Sequence, residues 1–448
     1  MSQLHMNVFR FLSMSMKIEI ELRIYLFAIL FVFSSCYFFL SNNIPFDSGW
    51  IPLQFSTFLI AIVGLFFGSI SPSLKKVLCI SVICQLFNHI ILFNSSMPTM
   101  SGDADSYIFA AKKVAAYPNL FEGFKAFLHG IAGSYYDDLS DLGYISILSS
   151  LYCFGGEDVG NFLDVVLKIL AHIATVFYIY KIFVKFVDCR KSKYYGLISG
   201  LIFGVSVFPA YYSYGILKES YFTFVLVLSV YRLYKLACKF SLKNLLVFLL
   251  CVFWTYMFRE IIPFYFIVAY AMYLYLRKKN PIYTQIVVVT LFVLSIVGIS
   301  IMMTVFPYLE NTFAAREEKY DASTIGMMMN MTGPFLSPIP ALNKYNVNSN
   351  LCVFSYGVIN ISFAYFALLG IYNTLKNGIA CLYPMLFVLL LNSIMVILTG
   401  YAINARYTYI VAPLYYSFIP FGFKYHRKIY LLGYIITIVG LTYIYNVR

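Results

Sequence analysis

Three short stretches of this chain set a cation beside an acid or an aromatic ring: Lys218-Glu219, Arg259-Glu260 and Asn404-Ala405-Arg406-Tyr407. An Arg fork binds phosphate oxygens in pairs, and a Lys adds a point charge. The turns around them, Gly215–Ser220 and Phe258–Pro263, hold almost no other polar residue, so these cations are costly unless paired or used. Each Lys or Arg can be neutralised by the Glu beside it, or the set can hold a pyrophosphate. Arg406 has no adjacent acid, which favours use. A second motif, Asp103-Ala104-Asp105, follows Gly102 and precedes Tyr107. Two carboxylates so spaced can hold a divalent cation or take up a proton. They can equally cap the helix that follows, since carboxylates are favoured at helix N-termini.

Other polar residues carry less. Arg316 sits in a charged run with Glu317, Glu318, Lys319 and Asp321, ahead of Met327–Met331 and the Pro-rich Gly333–Pro340. That run is either a solvated face or an amphipathic lid over a cavity. His89, His129 and His172 lie on separate segments without ligand spacing, so no metal is expected from them. No cofactor is expected, beyond a divalent cation if Asp103 and Asp105 use one. Asp164 and Lys168, four residues apart, form an intrahelical ion pair at the outer end of a span. Most of the nine cysteines lie in apolar runs and act as small packing residues.

The elements that must position these groups are membrane spans. The chain of 448 residues is 61% hydrophobic and only 11% charged, with a mean hydropathy of +0.80. A soluble domain carries roughly 25% charged residues, so lipid must be the solvent over most of this surface. Apolar runs near the length needed to cross the bilayer fall at about 24–40, 51–71, 77–94, 161–187, 194–216, 221–238, 244–258, 261–276, 284–306, 352–374, 379–401, 407–423 and 429–447. The fold expected is an all-α polytopic membrane protein of 12 to 13 transmembrane helices, a single domain over 1–448 with its N-terminus in the cytoplasm. Two long outer loops, 95–160 and 307–351, carry short interfacial helices. In the first, Asp137, Asp138 and Asp141 precede Gly143-Tyr144 and a stretch too short to span, Ile145–Tyr152, which reads as an interfacial or re-entrant helix.

Charge orients this arrangement. With the N-terminus inside, the inner segments hold 21 Lys or Arg against 3 acids, Glu19, Glu21 and Asp188, while the outer segments hold 10 basic and 15 acidic residues. Positive charge marks the cytoplasmic side. The net charge of +13 is thus spent on orientation, and a nucleic-acid partner is not expected. The inner connections are short and lack a Gly-rich phosphate cradle, which argues against an ATP-driven pump.

Gly102–Tyr107 at the first loop, the Gly215–Glu219 hairpin, and Asn404–Tyr407 ahead of a span with Pro413 and Leu414 give a resemblance to a known group. The chain resembles bacterial polysaccharide polymerases of the Wzy (O-antigen polymerase) type, and more broadly membrane glycosyltransferases of GT-C-like plan. The likeness covers most of the chain in topology, and its motifs are short. It implies an enzyme of the bacterial inner membrane, active at the periplasmic face, that joins undecaprenyl-pyrophosphate-linked oligosaccharide units. Its implied partners are that lipid-linked substrate, the bilayer, a chain-length regulator and a flippase. The family's periplasmic arginines map to Arg259, Arg316 and Arg406. Asp103 or Asp105 would take the acceptor proton and Arg406 would act with them. Lys218, Glu219, Arg259, Glu260, Arg316, Tyr107 and Tyr407 would bind pyrophosphate and glycan. Two alternatives stay open: a GT-C transferase using a polyprenyl-phosphate sugar, and a flippase or transporter for lipid-linked oligosaccharide. Charges gathered at outer ends, with nearly charge-free spans at 284–306 and 379–401, favour chemistry at one face over alternating access.

Overall fold

In hydrocarbon no water is available to bond backbone groups, so apolar runs of this length resolve as helices whose bonds close internally. The computed structural model describes residues 70–94, 102–128, 141–206, 215–259, 261–278, 280–283, 285–286, 289–290, 333–336, 347–398 and 405–447, and among them every regular element is a helix. The first are α1 (Pro72–Asn94), α2 (Gly102–Ala115), α3 (Leu120–Leu128), α4 (Leu142–Phe186) and α5 (Ser192–Gly204). Then come α6 (Glu219–Cys238), α7 (Leu242–Tyr256), α8 (Ile262–Leu276), α9 (Val347–Lys376) and α10 (Tyr383–Leu398). Last are α11 (Ala405–Tyr409), α12 (Ala412–Tyr416), α13 (Ile419–Gly422) and α14 (Lys428–Val447).

Four stretches among the described residues are long and apolar enough to cross a membrane: Leu142–Phe186, Glu219–Cys238, Gly357–Lys376 and Ala380–Ile397. Three apolar helices are shorter, Leu242–Tyr256, Ile262–Leu276 and Lys428–Tyr443. The protein is an all-α, membrane-embedded chain. The spans expected at 24–40 and 51–71, most of that at 284–306 and most of the loop at 307–351 lie outside the described residues.

Three elements depart from the expected spans, each for a local reason. Helix α4 starts at Leu142, not near 161, because the short apolar stretch is helical and doubles back as an arm, re-entrant in the sense that it returns along the helix it joins. At Gly156 the backbone takes φ 77° and ψ −175°, a region open essentially to glycine, and the chain reverses. Tyr152 Oη then donates to Asn161 Oδ1 at 2.7 Å, and Tyr144 meets Asp164 and Lys168. Tyr144 and Lys168 are equally far from Gly156 in sequence, as two antiparallel arms require. Gly160 leaves room for this, since a Cβ there would lie 2.4 Å from the Tyr152 ring.

Helix α5 stops at Gly204, well short of 216. A helix end inside a bundle needs partners for its carbonyls. Ser81 Oγ and Gln85 Nε2 on α1 donate to the Gly204 carbonyl at 3.1 and 3.2 Å, His172 Nε2 on α4 meets it at 3.3 Å, and Gln85 Nε2 also reaches the Ser206 carbonyl at 2.9 Å. The span expected at 407–423 is instead three short helices, α11 to α13. Pro413 and Pro420 stand in the first turns of the last two, where a missing N–H costs least and the preceding residue leaves the helix. This broken segment runs through the core against α9, with Gly370 and Gly422 facing each other's element. A Cβ on either would come within 1.9 Å of a backbone oxygen, Phe418 for the first and Phe366 for the second. Small residues allow such close approach of helices in lipid.

The short basic connections share one end of the bundle. Tyr234 Oη, near the end of α6, donates to the Cys381 carbonyl at 2.6 Å, Phe186 stacks on Tyr234, and Gly378 lies against Pro281. The connections after α4, α6, α8 and α9 therefore meet there. The starts of α6 and α8 and the ends of α7 and α10 form the far end.

Candidate functional site

The re-entrant arm begins where Gly143 touches the end of α7. The Gly143 N–H donates to the Met257 carbonyl at 2.9 Å, and a Cβ on Gly143 would lie 2.8 Å from that same oxygen. This contact between backbones carries Asp141 to Lys218, the residue before α6. The two form a buried ion pair through Asp141 Oδ1. The same oxygen accepts from Tyr107 Oη of α2 at 3.1 Å, and Lys218 Nζ donates further to the Phe258 carbonyl at 3.1 Å. Four elements distant in sequence thus converge on one ammonium. Burial pushes the Lys218 ammonium down from its usual range; Asp141 opposes that, and nearby Arg259 adds to it.

Glu219 opens α6, and its Oε1 pairs with Arg406 Nε on α11. Its other oxygen, Oε2, is buried and has no hydrogen-bond partner among the described residues, and the same holds for Thr223 Oγ1 one turn along the helix. Arg259 follows the end of α7. Its guanidinium lies 4.1 Å above the Tyr407 ring and 6.0 Å from Phe222, and it makes no ion pair among the described residues. Cation and ring attract electrostatically, but the ring does not cancel the charge.

Beneath this lies a second polar group, wholly buried. Lys168 Nζ is 2.5 Å from Asp164 Oδ2 and donates to Tyr144 Oη at 2.8 Å. Tyr144 Oη donates to Asp164 Oδ2 at 2.8 Å and Tyr221 Oη to Asp164 Oδ1 at 3.0 Å. The Tyr107 ring of the first group meets the Tyr144 ring of the second edge to face, centroids 5.0 Å apart, so the two groups adjoin. Among the described residues, the cations Lys168, Lys218, Arg259 and Arg406 face the carboxylates Asp141, Asp164 and Glu219, one cation more than carboxylates.

The residues singled out by sequence are distributed as follows. Tyr107, Lys218, Glu219, Arg259, Arg406 and Tyr407 are brought together at the far end of the bundle. Asp105 is not. It lies on the exposed face of α2 with Phe109 and Lys112, whereas Ala104, Tyr107, Ile108 and Ala111 face the core. Asp103 stands in the first turn of α2, with its side chain outside the described residues, as are Glu260 and Arg316. Among the described residues no group of three metal-ligating side chains converges. Local neutralisation of Lys218 by Glu219 does not occur: Lys218 takes Asp141, and Glu219 takes Arg406. The Asp164–Lys168 pair forms, but deep among the helices and extended by two tyrosines.

No family model, curated protein or solved structure matches this chain. Its chemistry must therefore be read from the site itself. Asp141, Tyr144 and Tyr221 are partners that sequence reasoning did not assign. Asp141 heads a re-entrant stretch, which is a signal of sorts. The tyrosines, two among 41, carried none.

Proposed function

We propose that this chain is a membrane glycosyltransferase of the polysaccharide-polymerase kind, acting on lipid-pyrophosphate-linked oligosaccharide at the face that holds Lys218, Arg259 and Arg406. The observation that carries this reading is the surplus cation. Arg259 stands beside a buried Lys218 in a low-dielectric setting, with no carboxylate partner among the described residues. Uncompensated charge at such a place is expensive and marks a place where an anion binds. The basic connections lie at the opposite end, so positive-inside orientation would set this site at the periplasmic face.

The step then needs little from the protein. An acceptor hydroxyl oxygen bonds to the anomeric carbon of the donor sugar as the bond from that carbon to the pyrophosphate oxygen breaks. The electron pair leaves on the pyrophosphate, whose charge Arg259 and Lys218 stabilise. The hydroxyl proton passes to a carboxylate, and Glu219 Oε2 is the buried carboxylate oxygen with capacity to accept it. Arg406 fixes Glu219 by its other oxygen, which makes it an orienting group. Asp105 lies on the exposed face of α2, away from these groups.

Deleting the gene and separating the cell's surface glycans by electrophoresis tests this. The ladder of chain lengths should collapse to a single repeat unit on its lipid and return with the wild-type gene, but not with Arg259→Gln inserted at equal level. A full ladder in the deletion strain would sink the reading. Loss of one sugar from every chain would point instead to a transferase using a polyprenyl-phosphate sugar.

A further inference from the structure

Beside the charged cluster, the outside of the bundle carries a groove of about 280 Å³. Its walls include Ile147 of the re-entrant arm, Tyr221 and Leu228 of α6, Cys251 and Trp254 of α7, and Phe258. The lining is almost wholly apolar, because its polar atoms are turned away. Tyr221 directs its hydroxyl inward to Asp164, and the Phe258 carbonyl is taken by Lys218. Trp254 in its wall is exposed on the surface of a membrane-embedded chain, as are Leu250 and Phe253 on the same helix. Its other end is Tyr221 and Phe258, and the residue after Phe258 is Arg259.

One continuous surface therefore runs from lipid-facing helix to a cation that makes no ion pair among the described residues. We infer that the groove holds the hydrocarbon chain next to the phosphate of a polyprenyl-phosphate-type lipid, with the phosphate against Arg259 and Lys218. The apolar walls suit a chain with no polar atoms. The charge at its end suits an anionic head and gives a neutral lipid nothing to pair with. A tail so placed delivers its phosphate sideways from the bilayer, so the substrate never has to leave lipid. Re-entrant arm and α7 form both the groove wall and the backbone contact that sets Asp141 on Lys218, so one structural element aligns tail and head. This inference rests on the glycosyltransferase reading for the lipid's identity, but not for its test.

The chain has two tryptophans, Trp50 and Trp254, so Trp50→Phe leaves a single reporter in the groove wall. The full-length variant in phosphatidylcholine nanodiscs would be titrated with a brominated polyprenyl phosphate, and Trp254 quenching followed. Quenching should saturate at a low mole fraction. Unlabelled polyprenyl phosphate should reverse it, and uncharged polyprenol should not. Arg259→Gln, which removes a charged hydrogen-bond partner, should raise the half-saturation point about tenfold or more. Cys251→Phe, which fills the groove, should do the same, with Leu228→Phe as a second filling variant if the first fails to fold. Quenching that grows linearly, without saturation and equally for polyprenol, would mean that bulk lipid alone occupies the groove and would overturn the proposal. An unchanged half-saturation point in Arg259→Gln would overturn the placement of the head. Linear quenching alongside a collapsed glycan ladder in the deletion strain removes the slot and leaves the enzyme. Saturable quenching alongside an intact ladder supports the slot and removes the polymerase.

Discussion

Two polar groups adjoin within this apolar bundle, and they are built on opposite terms. Around Asp164 and Lys168, cation and carboxylate balance and both carboxylate oxygens accept hydrogen bonds, from Tyr144, Tyr221 and Lys168. Around Lys218 and Glu219, among the described residues, cations outnumber carboxylates, a carboxylate oxygen has no hydrogen-bond partner, and a guanidinium rests on a ring. Burial alone therefore does not distinguish a fastening from a site. Balance does. The closed group ties the re-entrant arm to both α4 and α6, and what it fixes is where Asp141 arrives. The open group holds, among the described residues, one cation more than carboxylates, and the proposed anion site rests on that difference.

The largest effect should come from unbalancing the closed group. Asp164→Leu strands Lys168 inside the bundle and should cost about 3–5 kcal/mol, as breaking a buried pair does. Thermal unfolding in detergent measures this. Adding Lys168→Met should restore most of the loss, and a double variant no better than the single one would show that the pair is more than a fastening.

The backbone contact that links the two groups comes next. Gly143→Val pushes a side chain against the Met257 carbonyl and should cost about 1–3 kcal/mol, in the range of overpacked sites. Because the shift also moves Asp141 off Lys218, transfer activity should fall further than the melting point suggests. Activity that tracked stability alone would separate the arm from the site.

Changes in the open group should invert that pattern. Glu219→Gln keeps shape and one acceptor oxygen, so melting should move little while activity falls about 100-fold, the range attributed to a positioned proton acceptor. Equal losses in melting and activity would make Glu219 a fastening like Asp164. The smallest effect belongs to Asp105→Asn, which should leave both the melting temperature and the glycan ladder as in wild type. A collapsed ladder from that variant would restore the Asp-x-Asp motif to the chemistry.

How much of this could be read from sequence follows the range of the interactions. The Asp164–Lys168 pair was legible because residues four apart share a helix face. The turn at Gly156 was not, since a Gly-Gly pair within an apolar run has many uses, and only the packing of Tyr152 on Gly160 makes this one a reversal. Hydropathy likewise drew α11 to α13 as one span. It counts apolar residues and is blind to the breaks at Pro413 and Pro420. The cations of the site were visible as residues out of place in apolar turns, but not their partners across the bundle: Glu219, weighed as a neighbour for Lys218, serves Arg406 instead.

Sequence by itself determined the solvent, the element type and the separation of basic connections from the few cations elsewhere. Those follow from composition and from the cost of bare backbone in lipid, which any fold must meet. Tertiary structure decided who pairs with whom. Adjacent helical residues such as Lys218 and Glu219 point in different directions and cannot serve each other, so each looks across the bundle. Lys218 finds Asp141 on the re-entrant arm, Glu219 finds Arg406 on the broken segment, and Arg259 rests on the Tyr407 ring.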